Sequence, residues 1–424
     1  MDKSNSEQKA VETEVPEASA GLPAWRRALR PMLVPALAVF TGLVIGAIVI
    51  AITDATVVAA YRNFLSAPGT ALSATWHSIA TAYGALFQGS VGSPSEVYQG
   101  IQAYVASGDS TPLVKALWPI TESLVTATPY ILAGLGVALG FRCGLFNIGV
   151  EGQFFIGALC SAWVGYTFTD LPWFIHLPLA VLAGAVGGAF WGAIPGYLKA
   201  VTGAHEVVNT IMMNWIAFRL SDWLLNGPMK ATGYRPITPQ IESTAALPRI
   251  FPPPLRFHVG FFLALAVAAL VYWLLFKTTV GFEIRAVGAN PDAARYAGVN
   301  ITWNFVLAMV LSGALAGLAG ATQVLGTDHW VGQGFSAGYG FDAIALALLG
   351  KSHPLGVVIA GVLFGTLRSG ATRMQSMAGI PIDIISIIQA LVIIFVAAPA
   401  IIRWVYRIRM PRAEEIVLTR GWGS

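Results

Sequence analysis

Along most of this chain apolar residues come in long unbroken runs, not in the one-sided stripes of a helix that meets water. Uncharged apolar runs occupy Met32–Ile52, Ser123–Phe141, Gln153–Thr169, Leu177–Leu198, Val207–Phe218, Val259–Phe276, Ile301–Thr327, Pro354–Leu367 and Ile384–Ile402. A helix needs about 20 such residues to cross hydrocarbon. The pattern predicts an all-α, polytopic membrane protein with about nine to ten transmembrane helices. The tenth would be the short run Ala343–Gly350, which as a helix covers only part of a bilayer.

Three polar stretches divide the chain. Residues 1–30 read as a disordered tail, acidic through Glu7, Glu12, Glu14 and Glu17 and ending in Arg26, Arg27 and Arg30. Residues 31–405 form the membrane domain, and 406–424 a polar C-terminal tail. Within the domain, 54–114 is a mixed segment on the non-cytoplasmic side, with an interfacial helix at Glu96–Ala106. Basic residues set the orientation, because they concentrate on the cytoplasmic side. An inside N-terminus collects Arg26, Arg27, Arg30, Lys199, Lys277, Arg285, Arg295, Arg403, Arg407, Arg409 and Arg412 there and leaves fewer cations opposite. Both termini are then cytoplasmic, provided Ala343–Gly350 counts as a crossing.

Composition narrows the function. Of 424 residues, 56% are hydrophobic and only 11% charged, too few charges to cover a soluble globule of this length. A net charge of +4 is too sparse for a nucleic-acid stripe. Cys143 and Cys160 both sit in apolar sequence and suggest neither a disulfide framework nor a metal site.

Two glycine-broken segments carry the polar chemistry. In Phe141–Gln153, three glycines interrupt the helix beside Asn147, Glu151 and Gln153. In Gly338–Gly350, glycines surround Asp342 ahead of a half-length apolar helix. The two are loose cousins, Phe146-Asn147 and Phe341-Asp342 each preceding an apolar run. Paired broken helices point to the binding site of a transporter, and irregular backbone at membrane depth must be satisfied by protein or a water-filled cavity. Glu151 either lines the pathway or pairs with Arg142. Asp342 either lines the pathway or caps the helix that follows. Asn209 and Asn214 either face the pore or join helices, and Phe146 and Phe341 either stack on a ring or pack in the core. Glu122, Arg219, Asp222, Arg368 and Asp383 read as anchors near helix ends.

The segment 277–300 predicts a short cytoplasmic helix. Asn290 suits its N-cap, Pro291 its first turn, Asp292 its positive end and Gly298 its stop. A rigid peg of this kind stiffens the loop or docks a partner through Arg285, Asn290, Pro291, Asp292, Arg295 and Tyr296. Three other patterns carry less. Ala345–Ser352 lacks the first glycine of a phosphate loop, His205-Glu206 lacks a second zinc histidine, and the sequon at Asn300 falls on the cytoplasmic side.

Three stretches, GLFNIGVEGQ (144–153), GFEIRAVGANPDAARYAG (281–298) and GFDAIALALLG (340–350), together resemble the permease subunits of bacterial ABC importers for branched-chain amino acids, ribose-type sugars and nucleosides. With GAHEVVNTIMMN (203–214), they are most similar to the nucleoside branch, which works with a basic-membrane-lipoprotein-type binding protein. The resemblance spans roughly 115–405. It implies an internal repeat, a second and usually non-identical permease, cytoplasmic ATPases docking on Asn290–Gly298, and a substrate-binding lipoprotein on the outer face of the bacterial inner membrane. It implies no cofactor in this chain, because ATP and Mg²⁺ are used by the partner ATPase.

The expected function is inward movement of nucleosides by alternating access. The expected pathway residues are Phe146, Asn147, Glu151, Gln153, Asn209, Asn214, Phe341 and Asp342. The same role for a simple sugar is the second reading, and an ion-coupled secondary transporter the third. An intramembrane enzyme would need a catalytic pair that this sequence does not present.

Overall fold

The computed structural model describes residues 24–381 and 383–407. The acidic tail up to residue 23, the C-terminal cations Arg409 and Arg412, and the side chains of Arg26, Arg27 and Arg30 lie outside the described residues. The chain begins with α1 (Ala24–Thr53), α2 (Ala55–Tyr61), α3 (Pro68–Val91) and α4 (Pro94–Ser107). Next come α5 (Thr111–Arg142), α6 (Val150–Thr167), α7 (Trp173–Thr202) and α8 (Glu206–Asn226). An irregular segment, 227–259, leads to α9 (Gly260–Lys277), α10 (Thr279–Ala289), α11 (Pro291–Tyr296) and α12 (Ile301–Gln323). After a π turn, Val324–Asp328, come α13 (Tyr339–Leu349), α14 (Pro354–Ala378), α15 (Asp383–Ala397) and α16 (Pro399–Val405).

An all-α fold is what hydrocarbon demands, since a helix satisfies its backbone within one segment. Among the described residues, six helices are long and apolar enough to cross a membrane, seven if the pair α15–α16, bent by 88°, is one span. Two further expected runs fall on α6 and α8, whose polar residues Glu151, Gln153, Glu206, Arg219 and Asp222 set them apart from the six. Burial sorts the spans into layers: 83% of the apolar window of α5 and 67% of that of α12 is inside the molecule, against 22% for α1 and 28% for α9. The centre is therefore α5 and α12, with α1 and α9 at the rim.

The packing is reciprocal. Helix α5 lies along α13 and α14, whereas α12 lies along α6 and α7. The units α5–α6–α7 and α12–α13–α14 thus exchange their first helices. Small residues four apart let the exchanged helices approach closely, as in membrane helix pairs generally. Gly184, Gly188, Gly192 and Gly196 of α7 meet Met309, Gly313 and Gly317 of α12, and Gly361 and Gly365 of α14 meet Ile131 and Ala127 of α5.

Two regions differ from the sequence reading. The segment 54–114 holds not only the expected interfacial helix, at α4, but the 24-residue α3, packed on α14. Ser90 Oγ of α3 donates to Thr366 O of α14 at 2.8 Å, and Ser123 Oγ of α5 donates to Ser90 O at 2.8 Å. These small polar contacts escape a reading based on apolar runs. The irregular segment 227–259 straps back over the π turn and the stretch after it. Leu247 N donates to Leu325 O, Ile241 N to His329 O and Thr238 N to Val331 O, at 2.8, 2.9 and 2.9 Å.

Candidate translocation site

The break between α5 and α6 is closed by side chains. Helix α5 stops where Gly144 takes φ +75°, a left-handed conformation that costs a residue with Cβ but not glycine. Asn147 then accepts from Gly149 N at 2.9 Å and donates to Gln153 Oε1 at 2.9 Å and Ser312 Oγ at 2.8 Å. Asn214 of α8 accepts from Gly152 N at 2.8 Å and donates to Ile148 O at 3.0 Å. Asn147, Gln153 and Asn214 are all buried. Backbone groups left bare here would cost about 4–8 kcal/mol apiece in a medium that cannot hydrogen-bond. Three expected pathway residues thus turn their polar atoms on the broken backbone and on each other.

The half-helix α13 is held at both ends by residues flanking that break. Glu151, in the first turn of α6, accepts from Gly340 N at 2.6 Å and from Ser336 Oγ. Its carboxylate lies against the positive end of α13. Gly340 is needed for the approach, because a Cβ there would fall on the Glu151 backbone. At the other end, Arg142 Nε donates to Ser352 O at 2.8 Å, just past α13. Of the two readings of Glu151, the pair with Arg142 does not form, because each takes an opposite end of α13.

Asp342 does not cap α13 either. The N-cap is Gly338, and Asp342 lies one turn in. Its Oδ2 accepts from Tyr130 Oη at 2.7 Å and lies 3.4 Å from Arg368 Nη1. Arg368 also donates to Tyr130 Oη at 2.7 Å and Ala337 O at 3.0 Å, and stacks over the Tyr339 ring, 5.0 Å from its centroid. The sequence reading placed Arg368 at a helix end. The helix instead runs on to Ala378, because Asp342 and Tyr130 give the guanidinium partners inside the bundle. Glu122 is similar: α5 starts at Thr111, and the buried carboxylate pairs with Arg256 from the irregular segment.

Two cavities flank the loop before α13. One, of about 290 Å³, lies between α6, α8 and the loop, with Phe155, Phe218, Asp222, Gln333 and Ser336 in its wall. The other, of about 230 Å³, lies between α13, α14 and α15 and includes Asp342, Arg368 and Gln389. Ala337, held at φ +46°, lines both. Phe341 is 47% exposed, and Phe146 is half-buried with its ring 5.2 Å from that of Phe141. Asn209 is half-buried with its Nδ2 unpartnered.

The expected short helix forms as α11. Asn290 Oδ1 caps Ala293 N at 3.1 Å, and Tyr296 is 95% exposed. Arg295 and Asp292 sit on its surface, 3.9 Å apart. Arg285 differs from the rest: it lies on α10 with its guanidinium 5.2 Å from the centre of the Phe276 ring. Arg142 approaches the same ring at 5.5 Å, and His353 packs on it at 5.4 Å. One aromatic thus links α10, the end of α5 and the end of α13. Missed altogether were Tyr130, Ser312, Ser336 and Gln389. Gln389 could have been found as the amide that, with Ser386, interrupts an otherwise apolar run.

The comparisons with known proteins agree on one kind of molecule. Residues 120–397 match the family described as branched-chain amino acid transport system / permease component. The guanosine ABC transporter permease protein NupP of Bacillus subtilis is 38% identical over 382 residues, 89% of this chain and 96% of that one. The nucleoside ABC transporter permease protein NupB of Lactococcus lactis is 36% identical over 306 residues, 70% of this chain and 83% of that one. The glucose ABC transporter permease protein TsgB13 of Haloferax volcanii is 38% identical over 286 residues, 65% and 75% of the two chains. No solved structure matches.

Proposed function

The chain belongs to the family of branched-chain amino acid transport system permease components, and from that membership we propose that it carries nucleosides inward, by alternating access, as the membrane-spanning subunit of an ATP-driven importer. The observation that carries the reading is the similarity to the guanosine permease over 89% of this chain. Asn209, half-buried with its Nδ2 unpartnered, is a neutral polar group that suits an uncharged solute. The glucose permease matches at equal identity over a shorter stretch, so a simple sugar is the second reading.

ATP hydrolysis belongs to partner subunits. They dock on α11, where Arg295 and Tyr296 stand clear of the surface. Thrust on α11 passes through α10 to the Phe276 contacts and so to the end of α13. A second, non-identical permease completes the membrane part, and a substrate-binding lipoprotein delivers cargo from outside. The setting is a bacterial inner membrane, with both termini cytoplasmic.

The test is initial uptake of labelled guanosine and glucose in cells with and without this gene. Guanosine uptake lost on deletion and on ATP depletion, but tolerant of an ionophore, is the expected result. Unchanged guanosine uptake with loss of glucose uptake moves the assignment to the sugar. Loss only with ionophore overturns the ATP-driven reading. Arg295→Glu is expected to abolish uptake and ATPase co-purification while the chain stays folded. Normal co-purification in that variant removes α11 from the docking site.

A further inference from the structure

The cavity between α13, α14 and α15 has a chemistry that its helices do not need for their own packing. Its wall presents Asp342, Arg368, Ser386 and Gln389 among Ala337 and Ile385. The carboxylate and guanidinium are partnered, but each is about a third exposed. Gln389 is only 6% exposed, and its Nε2 has no partner. A buried amide donor without an acceptor costs free energy, and natural interiors keep few such groups. This one stands beside an ion pair at membrane depth, where charged residues mark substrate paths.

We propose that this cavity is a subsite for a vicinal diol, and, resting on the nucleoside reading above, that its occupant is the ribose 2′- and 3′-hydroxyl edge. A carboxylate accepts hydrogen bonds only, and with Asp342 Oδ2 taken by Tyr130 and Arg368, its Oδ1 is the oxygen that accepts from the diol. Arg368, and Gln389 Nε2 once its side chain turns toward the cavity, are donors only, and they complement the lone pairs of the same hydroxyls. The ion pair has no net charge. A neutral diol therefore leaves it balanced, whereas a phosphate would bring an uncompensated charge into the bundle. Occupancy also touches the loop before α13, because Arg368 holds the Ala337 carbonyl at 3.0 Å. A free hexose offers the same diol, so the test separates the two sources.

Initial uptake would be measured at saturating solute, so that capture by a binding protein drops out. Guanosine, 2′-deoxyguanosine and glucose would be compared for the native chain, Gln389→Leu and Asp342→Asn in cells lacking the native gene. Gln389→Leu nearly preserves volume and breaks no bond seen here, so it guards against a folding artefact in Asp342→Asn. The native chain is expected to prefer guanosine over its 2′-deoxy analogue by about tenfold, the worth of one good hydrogen bond to a charged group. Both variants are expected to bring that ratio close to one, with unchanged amounts of chain in the membrane. A ratio that stays as in the native chain, or equal loss of both nucleosides, overturns the subsite. Glucose carried in place of guanosine, and lowered about tenfold by Gln389→Leu, upholds the diol subsite while removing the nucleoside reading. A native chain that carries none of the three overturns both.

Discussion

A side chain in a broken membrane helix can serve the backbone or the cargo, and the bonds of Asn147 decide which it serves here. It satisfies Gly149 N, Gln153 and Ser312 while fully buried. Asn147→Leu is therefore expected to lower the thermal midpoint of the purified chain together with its transport. A residue that only contacts cargo would lose transport at unchanged stability, so a normal midpoint with failed uptake would overturn the structural role. The sequence showed that the polar residues at 147, 151 and 153 belonged together, because glycines had broken the helix around them. It did not show what they bond to. Ser312, Asn214 and Gly340 are remote in sequence, and their approach depends on how α8, α12 and α13 pack. Arg368 was misplaced for a related reason: its charge looked like the end of an apolar run, when in fact it marked a partner within the bundle.

At the scale of elements, apolar runs were enough to find most of the helices, since in lipid almost any long uncharged run must be one. They did not find α3, α10 or the bend between α15 and α16. The first two are too polar to stand out, and the bend falls at Pro399, within one apolar run. How the helices fit rests on small residues. A side chain at Gly188 would fall on the Gly313 carbonyl and force α7 from α12. Gly188→Val is expected to cost roughly 1–3 kcal/mol through overpacking, read as a lower thermal midpoint and less chain in the membrane. A methyl group added at Gly84 of α3 would meet nothing within 4 Å, so Gly84→Val should leave both unchanged apart from a small gain in helix propensity. Equal effects at the two sites would remove the α7–α12 seam from the explanation.

For the whole molecule, the exchanged packing limits how the chain can move. Opening along its own repeat would part α5 from α14 and α12 from α7 at once, exposing close backbone contacts on both seams. The chain is thus expected to move as one body. Backbone amides along the α5–α14 seam, Ala127 and Gly365 among them, should keep the same protection from hydrogen exchange in the assembled importer with and without ATP. Protection that falls when ATP is added would show that this seam opens in the cycle.

The same exchange bears on synthesis. Tyr130 meets Asp342 only after a further 212 residues have been made. At ~5–20 residues per second, α5 waits on the order of 10–40 s before α13 and α14 exist. During that interval the face of α5 that α13 and α14 later cover, Tyr130 included, has no lasting partner. That interval of biogenesis is when the chain most needs shelter, and a slow codon or a missing insertase partner between α5 and α13 would lengthen it.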